Sequence, residues 1–376
     1  MNDLLTLAVL VGVGTVGALL AAPKRLGIPV VVGELLLGVA IGKGGLDLVD
    51  VSRPLLRQLG DLGFATVMLV AGSHVPVRDV RLRGAVRNAV RVVVATVPLA
   101  LLGGFGLAAL VGNDHGPLYT VLLASTSAAV VLTCLNTKRS ASPAVLDLVA
   151  QAAIADTLCI VALPLVADPR RALDAALGGL AIAAAATAVF AVGHLLSERA
   201  VLHQVHVLSK ERHLALAVRG SLVVLLVLAG MAEKLGTSVM LAGFTCGLVL
   251  SALGEPRRLA KQLFAISDGF LAPVFFVRLG ATLDLDALGA HLDLLALGLG
   301  LGLAAIAVHV VAGRVIGQPI PLGVLAAAQL GVPVAAVTIA GQARALRAGE
   351  GAAIMLGALL TIAGTAVASR RVTSRT

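Results

Sequence analysis

Charge is scarce in this sequence. Asp, Glu, Lys and Arg make up 13% of its 376 residues, about half the share of an ordinary soluble domain. So few charges cannot wet the surface of a soluble protein of this length, which excludes a soluble enzyme and a disordered chain alike. Cysteine is scarce as well: Cys134, Cys159 and Cys246 each lie inside apolar runs, so no disulfide framework or zinc cluster is implied. Tryptophan is absent and Tyr119 is the only tyrosine, which nearly removes the aromatic belts common at membrane interfaces. No phosphate-binding loop is found. Gly12-Val-Gly14-Thr-Val-Gly17 fits G-x-G-x-x-G, but no strand precedes it, so it reads as small-residue helix packing. His203, His206 and His213 have a metal-like spacing but sit in a basic loop with no acidic second shell evident, and no metal site or other cofactor is expected there.

What the sequence has is apolarity, at 59% with a further 42 glycines and a mean hydropathy of +1.01. It reads as an all-α polytopic membrane protein. About thirteen stretches are long enough to cross ~30 Å of hydrocarbon as helices. They fall near 3–21, 28–50, 57–76, 84–112, 117–136, 143–168, 172–197, 212–234, 236–253, 260–281, 291–317, 321–346 and 350–369. A cleaved secretory leader over the first is not expected, because Asp3 and no basic residue precede the apolar run. Residues 1–371 form a single membrane domain. The net charge of +9 reflects basic loops rather than a nucleic-acid partner. Lys24, Arg25, Arg78, Arg81, Arg83, Lys138, Arg139, Lys210 and Arg212 share the richer side, which places the N-terminus outside and the C-terminus in the cytoplasm of a cell-membrane protein.

The two halves resemble each other. Gly33 precedes Gly72 by 39 residues and Gly243 precedes Gly280 by 37; Ser127 follows Gly72 by 55 and Gly331 follows Gly280 by 51. An odd number of crossings separates the two starts. The expected architecture is two inverted six-helix repeats joined by the helix over 172–197, with crossed, broken helices near the midplane.

Charges within the spans are few, so each carries information. Asp156, in AIADTLCIV, lies close to the bilayer middle. An unpaired carboxylate is expensive there, and is expected either to carry a proton or to trade it for a small cation. The preceding span holds Ser125, Thr126 and Ser127, hydroxyls that loosen a helix by bonding back to its carbonyls. In the inverted mate, QLGVPVAAV, Gly331 and Pro333 interrupt the span at the equivalent place. Two such breaks would turn free carbonyls toward each other, and with the hydroxyls of Thr126 and Ser127 they would give a hard monovalent cation oxygen ligands.

GELLLGVAIG, LGDLGFATVMLVAG, ASTSAAVV, AIAD and PVFFVRLGATLDL occur in an order that resembles the sodium/hydrogen exchanger family, and within it the NapA-like and glutathione-gated potassium-efflux branch. The resemblance spans about residues 3–369. It implies antiport of H⁺ against Na⁺ or K⁺, with the aspartate at Asp156 binding proton and cation in turn. It also implies a homodimer, in which a mobile core (84–168 and 291–369) moves against a scaffold (1–76 and 212–281). Arg314 resembles the basic residue that faces the aspartate in the family; the alternative is an arginine snorkelling at a helix end. His309, in the same span, reads as a packed imidazole.

There are departures from the pattern. Residue 155 is Ala where relatives often have Asp, Asn or Gln, leaving one titratable group and hence an electroneutral, one-for-one exchange. Arg278 stands where relatives have a small or apolar residue, and is expected to pair with Glu34 or Asp61, to snorkel, or to line a pathway. Glu34 and His74 are expected at the mouth of the pathway, His74 as a candidate pH sensor. The cytosolic nucleotide-binding tail of the glutathione-gated relatives is not expected. Two other readings remain on the same fold: a proton-coupled exporter of an organic anion or metabolite, and a non-transporting sensor or partner subunit.

Overall fold

A computed structural model describes residues 2–21, 29–75, 84–128, 130–131, 142–198, 215–254 and 257–373. Every regular element among them is helical. The helices are α1 (Asp3–Ala21), α2 (Val30–Ile41), α3 (Pro54–Ser73), α4 (Val86–Val111), α5 (Gly116–Ala124), α6 (Pro143–Ala167), α7 (Ala172–Glu198) and α8 (Leu216–Lys234). They continue with α9 (Val239–Leu253), α10 (Arg257–Ile266), α11 (Ala272–Ala281), α12 (Leu285–Ala290), α13 (Leu292–Gly313), α14 (Ile320–Ala326), α15 (Gly331–Gln342) and α16 (Glu350–Thr373). A π turn, Ser267–Leu271, joins α10 to α11. Among the described residues ten helical segments are long and apolar enough to cross a membrane, and α2 and α9 are shorter apolar helices. Cys134, the histidines of 203–213 and the nine basic loop residues named above lie outside the described residues.

Local chemistry sets several helix ends. Ser238 opens α9 by accepting the Met240 amide at 3.1 Å, and Gly254 closes it in the left-handed region (φ 69°), its amide reaching the carbonyls of Leu250 and Ser251. The stretch expected over 28–50 is helical only to Ile41. From there Gly42 turns the chain, and the amides of Gly45 and Asp47 return to the Gly42 carbonyl, so the remainder reaches Pro54 as a loop.

Packing divides the chain into two units. The first holds α1, α2, α4 to α6 and the chain from Phe276 onward; the second holds α3, α7 to α10 and the chain as far as Phe275. In the first, Gly17 of α1 lies so close to Gly33 of α2 that a methyl group on either would meet backbone. Gly38 of α2 sits against the backbone of Val277, and Gly280 against the Leu35 carbonyl. In the second, Gly247 of α9 sits against the Leu69 carbonyl of α3, and Gly72 of α3 against that of Phe244. One register governs both crossings: each glycine faces the residue three positions before its partner glycine. Small residues at such crossings let helix backbones touch, which is the main source of close packing where lipid replaces water. Within the first unit Leu148 and Val149 of α6, Leu322 and Leu325 of α14, and Val130 and Val131 form an apolar cluster beside the interruptions described next.

Candidate functional site

Helix α5 begins on Gly116-Pro117 and stops at Ala124 after nine residues. Ser125 is extended (φ −76°, ψ 147°), and both its amide (3.1 Å) and its hydroxyl (2.8 Å) donate to the Leu122 carbonyl. The hydroxyl thus competes for a helix acceptor and favours a stop. Ser125–Ser127 are non-helical and the helix resumes at Ala128, with Ser127 as its cap: the Ser127 carbonyl accepts from the Val131 amide at 3.0 Å.

The second interruption separates α14 from α15 and consists of Ala327–Leu330. Gly331 and Pro333 therefore start the second half-helix rather than kinking a continuous one. Proline in the first turn is cheap because the amide it lacks would have no helical acceptor there. The two interruptions meet. The Ser127 amide donates to the Ala328 carbonyl at 2.6 Å, and Gln329 Nε2 donates to the Leu122 carbonyl at 2.7 Å. Gln329 is itself fixed by its amide on Thr361 Oγ1 of α16 at 3.2 Å.

Asp156 lies in the middle of α6 and is 5% exposed. Its Oδ2 accepts from the Ala128 amide at 3.1 Å, the first amide of the resumed helix, where a helix end favours an anion. No ion pair to Asp156 is formed among the described residues. Thr126 is buried and its hydroxyl has no hydrogen-bond partner; Ser127, next to it in the chain, and Ala155, next to Asp156, are buried too. This cluster of a buried carboxylate, a free hydroxyl and backbone carbonyls has the chemistry to hold either a proton or a hard monovalent ion.

The remaining residues singled out by the sequence lie elsewhere. Arg314 is exposed just beyond α13 and donates to the Gln318 carbonyl at 3.4 Å, a helix-end arginine. Glu34 is buried in α2, and Arg278 of α11 donates to the Val51 carbonyl at 3.4 Å. Asp61 is half-buried in α3. His74, at the exposed end of α3, bonds the Val70 carbonyl (2.9 Å) and stacks on Phe264.

Other residues reach the site unannounced by the sequence. His309 of α13 is buried and places Nε2 3.1 Å from the Ser125 carbonyl, and Gln329 links both interruptions. Gln151, on α6, is buried with both amide atoms unpartnered. Polar residues embedded in apolar spans were the available signal for all three. Toward the ends of α5 and α16, Glu350 is fully buried and accepts from His115 (2.5 Å), the Tyr119 hydroxyl (2.6 Å) and the Arg347 amide (3.0 Å). No cluster of three or more His, Cys, Asp or Glu suited to a metal ion occurs among the described residues.

Similarity to known proteins extends over nearly the whole chain. The family model described as "Sodium/hydrogen exchanger, transmembrane" matches residues 11–370. The chain is 26% identical over 278 residues to YjbQ of Bacillus subtilis, covering 69% of this chain but 44% of that protein's length. It is 25% identical over 267 residues to the Na(+)/H(+)-K(+) antiporter GerN of Bacillus cereus, covering 70% of this chain and 68% of GerN. Among solved structures, the sodium proton antiporter MjNhaP1 of Methanocaldococcus jannaschii superimposes with a TM-score of 0.65 at 21% identity, over 98% of this chain and 96% of that one. At that identity the likeness speaks to the fold.

Proposed function

This chain belongs to the sodium/hydrogen exchanger family, and from that membership we propose that it is a secondary antiporter exchanging H⁺ for Na⁺ or K⁺ across the cell membrane. The observation that carries the reading is Asp156, a carboxylate buried where two interrupted helices meet, held by one backbone amide and near an unpartnered threonine hydroxyl. The name of GerN, which includes both Na⁺ and K⁺, supports a monovalent cation as substrate.

A buried carboxylate crosses a low-dielectric layer cheaply only when neutralised. Protonated Asp156 is neutral, and so is ionised Asp156 with one monovalent cation, with Thr126 and Ser127 supplying further oxygens. The empty, ionised form is trapped. Coupling follows, because the site resets only by taking the other ion. With Ala155 beside it, one carboxylate balances one charge, so the exchange is one-for-one and electroneutral. The gradient of either ion drives the other, with no hydrolytic step.

The common register of the Gly38/Gly280 and Gly247/Gly72 crossings supports an inverted repeat. In this reading 84–168 and 291–369 form the moving core, 1–76 and 212–281 the scaffold, and the helix over 172–197 the connection. The packing units group a resting structure by contact, whereas core and scaffold are grouped by what moves. The N-terminus lies outside, the C-terminus in the cytoplasm, and two copies associate.

The test is a liposome assay. Purified protein is reconstituted with an imposed pH gradient, and Na⁺ or K⁺ is added. Collapse of the gradient is expected, with complete loss in Asp156→Asn. Full exchange in that variant would reject Asp156 as the carrier. No response of the wild-type protein to any monovalent cation would reject the substrate class.

A further inference from the structure

The polar groups at the crossing are unevenly used. The Leu122 carbonyl accepts from Ser125 N, Ser125 Oγ and Gln329 Nε2. The Ser127 carbonyl accepts from Val131 and that of Ala328 from Ser127. The Ser125 carbonyl lies in the extended segment, where no helical amide among the described residues serves it, yet it too is occupied, by His309 Nε2 at 3.1 Å. A carbonyl can only accept, so this contact assigns the proton of the neutral ring to Nε2. Nδ1 has no partner and the ring is fully buried. His309 is thus an imidazole from a third helix whose ring lies against backbone carbonyls at the end of α5, with its hydrogen bond made to that of Ser125 and Leu123 close by.

We propose that His309 is a positioning residue that sets how many oxygens the crossing offers a cation. By donating to the Ser125 carbonyl it withholds that oxygen, leaving the Asp156 carboxylate and the hydroxyls of Thr126 and Ser127 as the protein ligands. The proposal rests on the antiport reading above. A backbone carbonyl in an unwound segment is a natural ligand for Na⁺ or K⁺. Freed of its donor, the Ser125 carbonyl would be a buried acceptor without a partner, a costly state that a bound cation relieves. Removing the donor therefore favours the cation-loaded form over the empty one. It tightens cation binding and slows release, separating KM from turnover.

The experiment compares His309→Leu, which deletes the donor, with His309→Gln, whose Nε2 can reach the same carbonyl but cannot titrate. Gradient collapse in proteoliposomes is measured against Na⁺ and K⁺ concentration, and thermal melting with and without each ion. His309→Leu is expected to lower the KM by about fivefold or more, with reduced turnover and a larger cation-induced rise in melting temperature than wild type. His309→Gln is expected to stay within about twofold of wild type in KM. If His309→Leu fails to fold, His309→Asn takes its place: its shorter amide does not span the gap, and the same KM shift is expected. Equal KM values in wild type and the donor-deleting variant would overturn the proposal, as would loss of exchange in a well-folded His309→Gln. An inactive wild-type protein would instead defeat the antiport reading itself.

Discussion

Nδ1 of His115 lies 2.5 Å from Oε1 of Glu350, across 235 residues of sequence. The carboxylate is fully buried and is also held by Tyr119, whose hydroxyl accepts from Asn113 at 2.7 Å. Arg347, which gives Glu350 its amide, pairs through its guanidinium with Asp293 at 3.3 Å. The start of α5 is thereby fastened to the start of α16. The bond to Glu350 raises the pKa of His115 above its ordinary value, burial opposing it in part. A raised histidine pKa contributes stability that is fully present below the unfolded value of about 6.5 and is lost as pH climbs through the folded value. Melting temperature in detergent, followed from about pH 5.5 to about pH 9, is expected to fall over that window in wild type. In His115→Asn this component of the fall should vanish, and parallel curves for the two proteins would contradict the assignment.

Thr126→Val separates binding from folding. The hydroxyl is buried without a partner, so the isosteric swap deletes no hydrogen bond and removes a desolvated polar atom. Melting temperature should hold or rise slightly, whereas removal of a partnered buried hydroxyl costs about 1 kcal/mol. The KM for the cation is expected to increase about tenfold, an energy of about 1.4 kcal/mol, if this oxygen belongs to the ion's shell. Unchanged exchange with unchanged stability would remove Thr126 from the site.

How much of this was legible beforehand differs by residue and for physical reasons. Hydropathy exposes a carboxylate in an apolar run, so Asp156 stood out, and three adjacent hydroxyls announced the end of α5. The second interruption was placed a few residues late, because Gly331 and Pro333 look like breakers, yet a proline serves equally well in a first turn. Arg314 was read either as facing the carboxylate or as an arginine at a helix end, and it lies exposed at a helix end, a choice of depth that one-dimensional sequence alone could not make. His309, Gln329 and Glu350 were passed over as site residues because their partners Ser125, Leu122 and Tyr119 lie 184, 207 and 231 residues away. Periodicity within one helix says which residues share a face; it does not say what that face meets.

The glycine crossings offer a test of the repeat that needs no transport assay. A methyl group on Gly280 would run into the Leu35 carbonyl, and one on Gly72 into that of Phe244. Both obstacles are backbone, which cannot swing aside as a side chain can. Gly280→Ala and Gly72→Ala are each expected to destabilise by about 1–3 kcal/mol, read as lower melting temperature or lower yield of folded protein. Gly12→Ala, with nothing within 4 Å of the added carbon, should be silent. Matching losses at Gly280 and Gly72 would fit two equivalent crossings; a loss at one alone would deny the equivalence.

A single carboxylate also fixes how exchange responds to voltage. If protonated Asp156 and cation-loaded Asp156 are the two forms that cross, neither moves net charge. A membrane potential then does no work on the cycle. Were one elementary charge carried per turn, ~100 mV would contribute about 2.3 kcal/mol, enough to shift the equilibrium about fifty-fold. Proteoliposomes given equal Na⁺ and pH on both sides and then a diffusion potential of either sign should therefore show no net proton movement above the passive leak. Voltage-driven uptake of H⁺ against Na⁺ would mean that a second group joins Asp156 in carrying protons. In that case the stoichiometry would fail while family membership stood, and the buried imidazole of His309 would be the first residue to substitute.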